Sequence, residues 1–206
     1  MRRSCESVFD TIGISCSQIE SRRFLRARGW SVSKALKQLL ATDEWRRQEG
    51  VDQLYETVDV EEYENARNFC PKWCGRRDKV GRPIFVYKLA AVTNPATMQK
   101  LNKIPEKRQI ELVTALSEIG ERYMFDLCSS LQDRSVTTPE QVGTSITCST
   151  SILDMEGMPF TGFWSLRGLL QKATQISSSH HPETAYLLAI VNAPSFFSAF
   201  WSWLKG

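Results

Sequence analysis

Between residues 19 and 50 the apolar positions recur at helical spacing among many basic residues. "QIESRRFLRARGW" carries Ile19, Phe24 and Leu25 between arginines. Ser31 can then cap a helix whose stripe is Val32, Ala35, Leu36, Leu39 and Leu40, ending at the C-cap Gly50. This predicts an all-helical, strongly basic unit over residues 1–70. From residue 71 the period changes. "GRRDKVGRP" is rich in turn residues and leads into "IFVYK", aromatic, branched and short, as a strand is. Pro105 fits the first turn of a long helix with Ile110, Leu112, Leu116, Ile119, Tyr123 and Leu127 on one broad face. "DRSVTTPEQVGTS" reads as an exposed loop.

Three further segments follow: "SITCSTSILDM" as a strand, "FWSLRGLLQKATQISSS" as a helix and "AYLLAIVN" as a second strand. The helix sets Leu166, Leu169, Leu170, Ala173 and Ile176 on one face. The second strand is apolar on both faces, the pattern of a covered parallel strand. Strand, helix, strand makes a right-handed crossover. The fold class predicted is α/β: a mostly parallel sheet with covering helices over residues 71–206, preceded by the small helical unit.

The first of those strands is too polar for a covered sheet. Thr147, Ser149 and Ser151 share one face, and Ile146, Cys148, Thr150 and Ile152 the other. Two explanations stand. Either this is an edge strand whose hydroxyls meet solvent, or the hydroxyls line a wall against polar atoms of a ligand.

Composition narrows the class. The 206 residues are 42% hydrophobic and 24% charged, an ordinary globular balance. A net charge of +3, without a recognised module, does not point to nucleic acid. No apolar run approaches the roughly 18 residues of a spanning helix. Glu6 and Asp10 interrupt any signal-peptide core, which predicts a cytoplasmic protein. The six cysteines lack the spacing of a disulfide framework, and Cys70 and Cys74 lack further zinc ligands nearby. His180 and His181 likewise lack companions for a metal and read as surface or packing histidines.

Four motifs in order, "RFLRARGWSVSKAL…EWRR", "DKVGRPIFVY", "ILDMEG" and "HHPETAYLLAIVNAPSFFSAFW", resemble the CRAL-TRIO lipid-binding family. The similarity covers residue 19 to the end and is greatest to the branch of phosphatidylinositol/phosphatidylcholine transfer proteins. The resemblance implies a protein that is not an enzyme and needs no cofactor. It implies one phospholipid held in an apolar pocket and exchanged during transient contact with membrane surfaces, Golgi or endosomal among them. Shielding acyl chains from water, at about 0.8 kcal/mol per CH₂, is what such a pocket supplies.

Residue by residue, the resemblance implies headgroup hydroxyls at Ser149 and Ser151 and aromatic pocket residues at Phe85 and Tyr123. Phe85 stands where the family has a tyrosine. For an inositol headgroup it implies Arg28 and the acidic Glu183, but Gly29 replaces a lysine. It also implies that the chain stops short of the family's gating helix and last strand. A phosphatidylcholine-like ligand is therefore expected over an inositol lipid. The alternative is a membrane- or protein-interaction scaffold without lipid exchange.

The basic clusters Arg22/Arg23/Arg26/Arg28, Arg46/Arg47 and Arg76/Arg77 can meet anionic headgroups or be solvated faces balanced by acids such as Glu44 and Glu49. No G-x-S-x-G, phosphate loop or H-E-x-x-H accompanies them, so no catalytic residues are assigned. The aromatic end "SFFSAFWSWLKG" has one lysine, too few for a basic amphipathic anchor. Phe196, Phe197, Phe200 and Trp201 are expected to pack against the sheet instead.

Overall fold

The computed structural model describes residues 18–57, 59–66, 72–131, 145–197 and 201. Four helices come first: α1 (Gln18–Ala27), α2 (Val32–Glu49), α3 (Val51–Thr57) and α4 (Val60–Ala66). Strands β1 (Lys72–Arg77) and β2 (Pro83–Lys88) follow, then α5 (Leu89–Thr93), α6 (Pro95–Lys103) and α7 (Glu106–Ile119). A π-helical turn, Gly120–Met124, joins α7 to α8 (Phe125–Ser130). Strand β3 (Ser149–Asp154), helix α9 (Phe160–His180) and strand β4 (Ala185–Val191) follow. The loop expected over 133–145, apart from exposed Ser145, and the cysteines Cys5, Cys16 and Cys70 lie outside the described residues; Cys74, Cys128 and Cys148 are free.

The sheet runs β1-β2-β3-β4, with the first pair antiparallel and the other two parallel. This is the predicted α/β class, with one strand the pattern did not show. β1, "KWCGRR", has no apolar alternation, and its last three residues fall in the stretch whose composition predicts turn; its hairpin pairing with β2 supplies what its side chains do not. The hydroxyl-bearing β3 pairs on both sides, so the edge-strand explanation falls. β4, expected to be covered, ends the order among the described strands. Tyr186, Leu187, Leu188 and Val191 on it are exposed.

Register identifies the two faces of the sheet. Parallel partners share a face, so Phe85, Ser151 and Leu188 line up across three strands, and Tyr87, Leu153 and Ile190 follow them. Leu153 and Ile190 pack against the buried cluster Leu89, Met155, Met158 and Phe163, the last from α9. Trp73, the partner of Phe85, packs against Phe125 and Cys128 of α8 and against Ile146. Helices α8 and α9 therefore cover the face that carries Phe85 and Ser151. Phe196 and Phe197 also pack against the Phe163 cluster, as expected; Phe200 is outside the described residues.

Two helices bury a different face from the one predicted. On α2, Ala35 and Leu39 are buried as expected, but Leu40 is exposed while Gln38 and Thr42 are buried. The reason is polar: Gln38 Nε2 donates to the carbonyls of Ser178 and Ser179 (3.1 and 2.8 Å), and Thr42 Oγ1 donates to Ser179 (3.3 Å). These are carbonyls at the end of α9, which lack partners within their own helix. On α7 the predicted stripe breaks at the π turn, where an extra residue per turn shifts the helical phase. Phe125 and Cys128 are buried beyond it, and Tyr123 and Leu127 are exposed. Pro105 is the N-cap of α7 rather than a residue of its first turn.

Gly29 has a definite backbone job. At φ +57° it closes α1 in a Schellman arrangement, with Gly29 N–H donating to Arg26 (3.1 Å) and Trp30 N–H to Leu25 (2.7 Å). Gly162 answers to space instead. A Cβ there would lie 2.5 Å from that of Thr93, so the missing side chain lets α9 sit against α5.

Candidate functional site

Of the sequence-selected residues, Ser149 and Glu183 meet at the turn between α9 and β4, His181–Pro182–Glu183–Thr184. Ser149, at the start of β3, donates its backbone N–H (2.9 Å) and its hydroxyl (3.3 Å) to the carbonyl of Thr184. The Thr184 hydroxyl donates back to the carbonyl of His181 (2.8 Å). Glu183 is exposed between them with φ +62°, a left-handed conformation that costs a non-glycine residue energy. Two positions along β3, Ser151 is buried on the helix-covered face beside half-buried Phe85.

Thr150 points the other way, and its hydroxyl donates to Asp78 Oδ2 at 3.0 Å. Asp78 also accepts the N–H groups of Val80 and Arg82 (2.9 Å each), which shapes the β1–β2 turn. Burial raises the Asp78 carboxyl pKa, but these donors and the Arg82 guanidinium outweigh it and hold the acid below its usual range. Thr150 therefore has a structural partner, whereas Ser149 and Ser151 lie on the face toward the helices.

The other implied residues are placed more loosely. Arg28, in the turn after α1, is exposed, and its Nε donates to Gln38 Oε1 at 2.7 Å. Through Gln38 it stands at the end of α9, the same corner that holds Glu183. Tyr123 is 61% exposed on the π turn. The structure thus joins Phe85, Ser149 and Ser151 through the sheet, links Arg28 through Gln38 to the end of α9, sets Glu183 in the turn that follows, and leaves Tyr123 on a helix surface.

Sequence reasoning missed the polar junction beneath that turn. Glu121, on the π turn, accepts from Arg23 Nη1 of α1 (2.5 Å) and contacts His181 Nδ1 (2.6 Å). Arg23 Nε also donates to the carbonyl of Pro182 at 2.9 Å. Burial raises the Glu121 carboxyl, but the hydrogen bond from His181 and the charge of Arg23 prevail and bring it down to about 2. Because Glu121 is an anion, His181 donates to it from Nδ1. Its Nε2 is buried and without a hydrogen-bond partner among the described residues.

His180 stacks on Trp45 at 4.0 Å between ring centroids and meets Thr42 Oγ1 through Nδ1 (3.1 Å). Burial, with the neighbouring His181, lowers its pKa to about 4. These are the packing histidines of the two alternatives. Buried Glu118 takes Arg46 (2.7 Å) and Arg122 (3.0 Å). Of the arginines set among the basic surface clusters by sequence, Arg23 is thus buried and Arg46 half-buried against Glu118, while Arg47 pairs with Glu44 as a solvated face would. The one available signal was Glu118 and Glu121, two acids three residues apart inside an apolar stripe.

Among the described residues, no group of three potential ligands could hold a metal, and no helix is long and apolar enough to cross a membrane.

Several known proteins are similar over most of the chain. The Sec14 cytosolic factor of Schizosaccharomyces pombe is 28% identical over 186 residues, 89% of this chain and 60% of that protein. The phosphatidylinositol/phosphatidylcholine transfer protein SFH9 of Arabidopsis thaliana is 25% identical over 185 residues, 89% of this chain and 30% of that one. This chain thus spans 60% or less of the length of either relative. A crystal structure of Sfh5 superposes with a TM-score of 0.65 at 16% identity, covering 91% of this chain and 59% of that chain, a likeness of fold. With the model of the CRAL/TRIO domain matching residues 67–206, more than half of its length, the chain belongs to the CRAL/TRIO domain family.

Proposed function

We propose that the chain binds a single phospholipid between the sheet and its covering helices and carries or presents it at membrane surfaces, without catalysis. The observation that carries this reading is the position of the β3 hydroxyls. An interior strand sets buried Ser151 beside Phe85 on the helix-covered face and ties Ser149 to the turn that bears Glu183. The name of the SFH9 relative supplies the ligand class, phosphatidylinositol or phosphatidylcholine.

Phosphatidylcholine is the better fit. Hydroxyls can bond a phosphate without adding charge, and the Phe85 ring can face a quaternary ammonium. Arg28 would give an inositol phosphate one cation, while Gly29 beside it supplies none and serves the end of α1.

The test is extraction of the purified protein followed by mass spectrometry of its lipids. Phosphatidylcholine should predominate, and Ser149→Ala with Ser151→Ala should reduce its uptake. A folded preparation that holds no phospholipid would sink the proposal. Labelled lipid that stays in donor vesicles despite protein binding would favour the scaffold reading.

A further inference from the structure

The first two turns of α9 present an aromatic surface unlike the rest of that helix. Phe160 is 55% and Trp164 53% exposed, and their rings stack at 6.1 Å between centroids. One helical turn on, the Arg167 guanidinium lies 4.2 Å over the Trp164 ring, and its Nη1 donates to the Trp164 carbonyl at 2.6 Å. Arg23, Arg46, Arg47, Arg82, Arg108 and Arg122 all hold carboxylates, but Arg167 has no carboxylate partner among the described residues.

We propose that Phe160, Trp164 and Arg167 form a docking surface for the headgroup and upper acyl region of a phospholipid bilayer. The chemistry is that of the interface. Tryptophan and phenylalanine settle where a membrane turns from polar to apolar, and a cation with no carboxylate partner among the described residues complements anionic headgroups beside them. That pairing of aromatic rings with a positive charge matches an anionic membrane surface.

The surface is also continuous with the interior. Phe160 meets Phe196 edge-on at 5.4 Å, and Phe196 lies 6.4 Å from Phe163, whose buried cluster packs on Leu153 of β3. An unbroken apolar path therefore leads from the docking aromatics to the sheet face that carries Ser151. This step rests on the phospholipid-binding reading and says where the bilayer lies when lipid enters.

The test is co-sedimentation of the full chain with vesicles of phosphatidylcholine alone and with a minority of phosphatidylserine, alongside the lipid content of each variant. Wild type should bind both and favour the anionic vesicles. Phe160→Ser with Trp164→Ser should weaken binding on the order of tenfold or more while bound lipid is retained. Arg167→Glu should abolish the preference for anionic vesicles. Leu187→Ser with Val191→Ser, exposed on the opposite sheet face, should change binding less than about twofold.

Unchanged binding by the aromatic double variant, or equal loss in the β4 control, overturns the proposal. So does a wild-type dimer that the aromatic variant dissolves, since a second copy would then cover the patch. Should the double variant fail to fold, Trp164→Ser alone decides on the same readouts. Lipid-loaded wild type that ignores vesicles defeats the docking surface alone. Lipid-free wild type that docks defeats the binding reading and leaves the docking surface standing.

Discussion

The two ends of α9 reverse the usual rule for inside and outside. At its start, Phe160 and Trp164 are apolar and largely exposed. At its finish, His181, Arg23 and Glu118 are polar and nearly inaccessible, and Glu121 and His180 lie beside them. Burial of charge is costly unless every group is matched, and among the described residues His181 Nε2 is the one buried side-chain polar atom without a hydrogen-bond partner. Exposed aromatics cost little in the fold and stay free to meet something else. Buried polarity marks the joint that fixes α1, α2 and α7 to the α9–β4 turn, and exposed apolarity marks a surface open to contact.

Breaking the joint should have the largest effect. Glu121→Ala leaves the Arg23 cation buried without its carboxylate and should destabilise the fold by about 3–5 kcal/mol, read from urea unfolding. A cost no larger than a surface substitution would show that the junction is wet and loosely held.

Acid should attack the same joint in two stages. The Glu121 carboxyl is depressed from 4.5 to about 2, so its contribution is complete above pH 4.5 and is lost as pH falls toward 2. His180 is held neutral, its pKa lowered from 6.5 to about 4, so protonation favours the unfolded chain and stability drops between those values. The unfolding midpoint should therefore fall from pH 6.5 downward. His180→Phe, which keeps a ring against Trp45, should remove the upper part of that decline.

The same contrast explains which parts of the molecule were legible in the sequence. Elements whose side chains follow one period could be read directly, α9 and β3, while β4 showed as a short apolar run and the end of α2 as Gly50. Elements set by partners elsewhere could not. β1 is held by its hairpin, Gln38 and Thr42 are buried because α9 ends against them, and the π turn moves Tyr123 outward. Gly29 was visible as a missing lysine, but the Schellman bonds that use it are a matter of backbone. Within the candidate site, the hydroxyl alternation marked the face of Thr147, Ser149 and Ser151, and the family resemblance picked out the last two. The Arg23–Glu121–His181 joint spans 98 and 60 residues of sequence and left almost no local trace.

Packing at α9 offers an intermediate test. Gly162→Ala would push a methyl into Thr93 and should cost about 1–3 kcal/mol, through overpacking rather than lost charge. A thermal melt would show it, and Thr93→Ser in the same chain should recover part of the loss by shrinking the facing side chain. Gly29→Lys should cost less, about 1 kcal/mol, because open space surrounds the position and only the left-handed backbone resists. If Gly29→Lys instead stabilises the protein, the helix end is not fixed by the glycine.

The smallest effect on stability belongs to the exposed end of α9. Trp164→Ser removes a half-exposed ring whose neighbours are Phe160 and Arg167, so unfolding free energy should change within about 0.5 kcal/mol. That near-null matters because it separates the two ends of one helix by kind. A residue retained for packing loses stability when truncated, whereas a residue retained for contact loses binding and little else. Were Trp164→Ser to unfold the chain as Glu121→Ala should, the aromatic surface would be part of the core's support. A small stability change together with weakened vesicle binding would assign the two ends of α9 to different tasks, one holding the fold and the other meeting the bilayer.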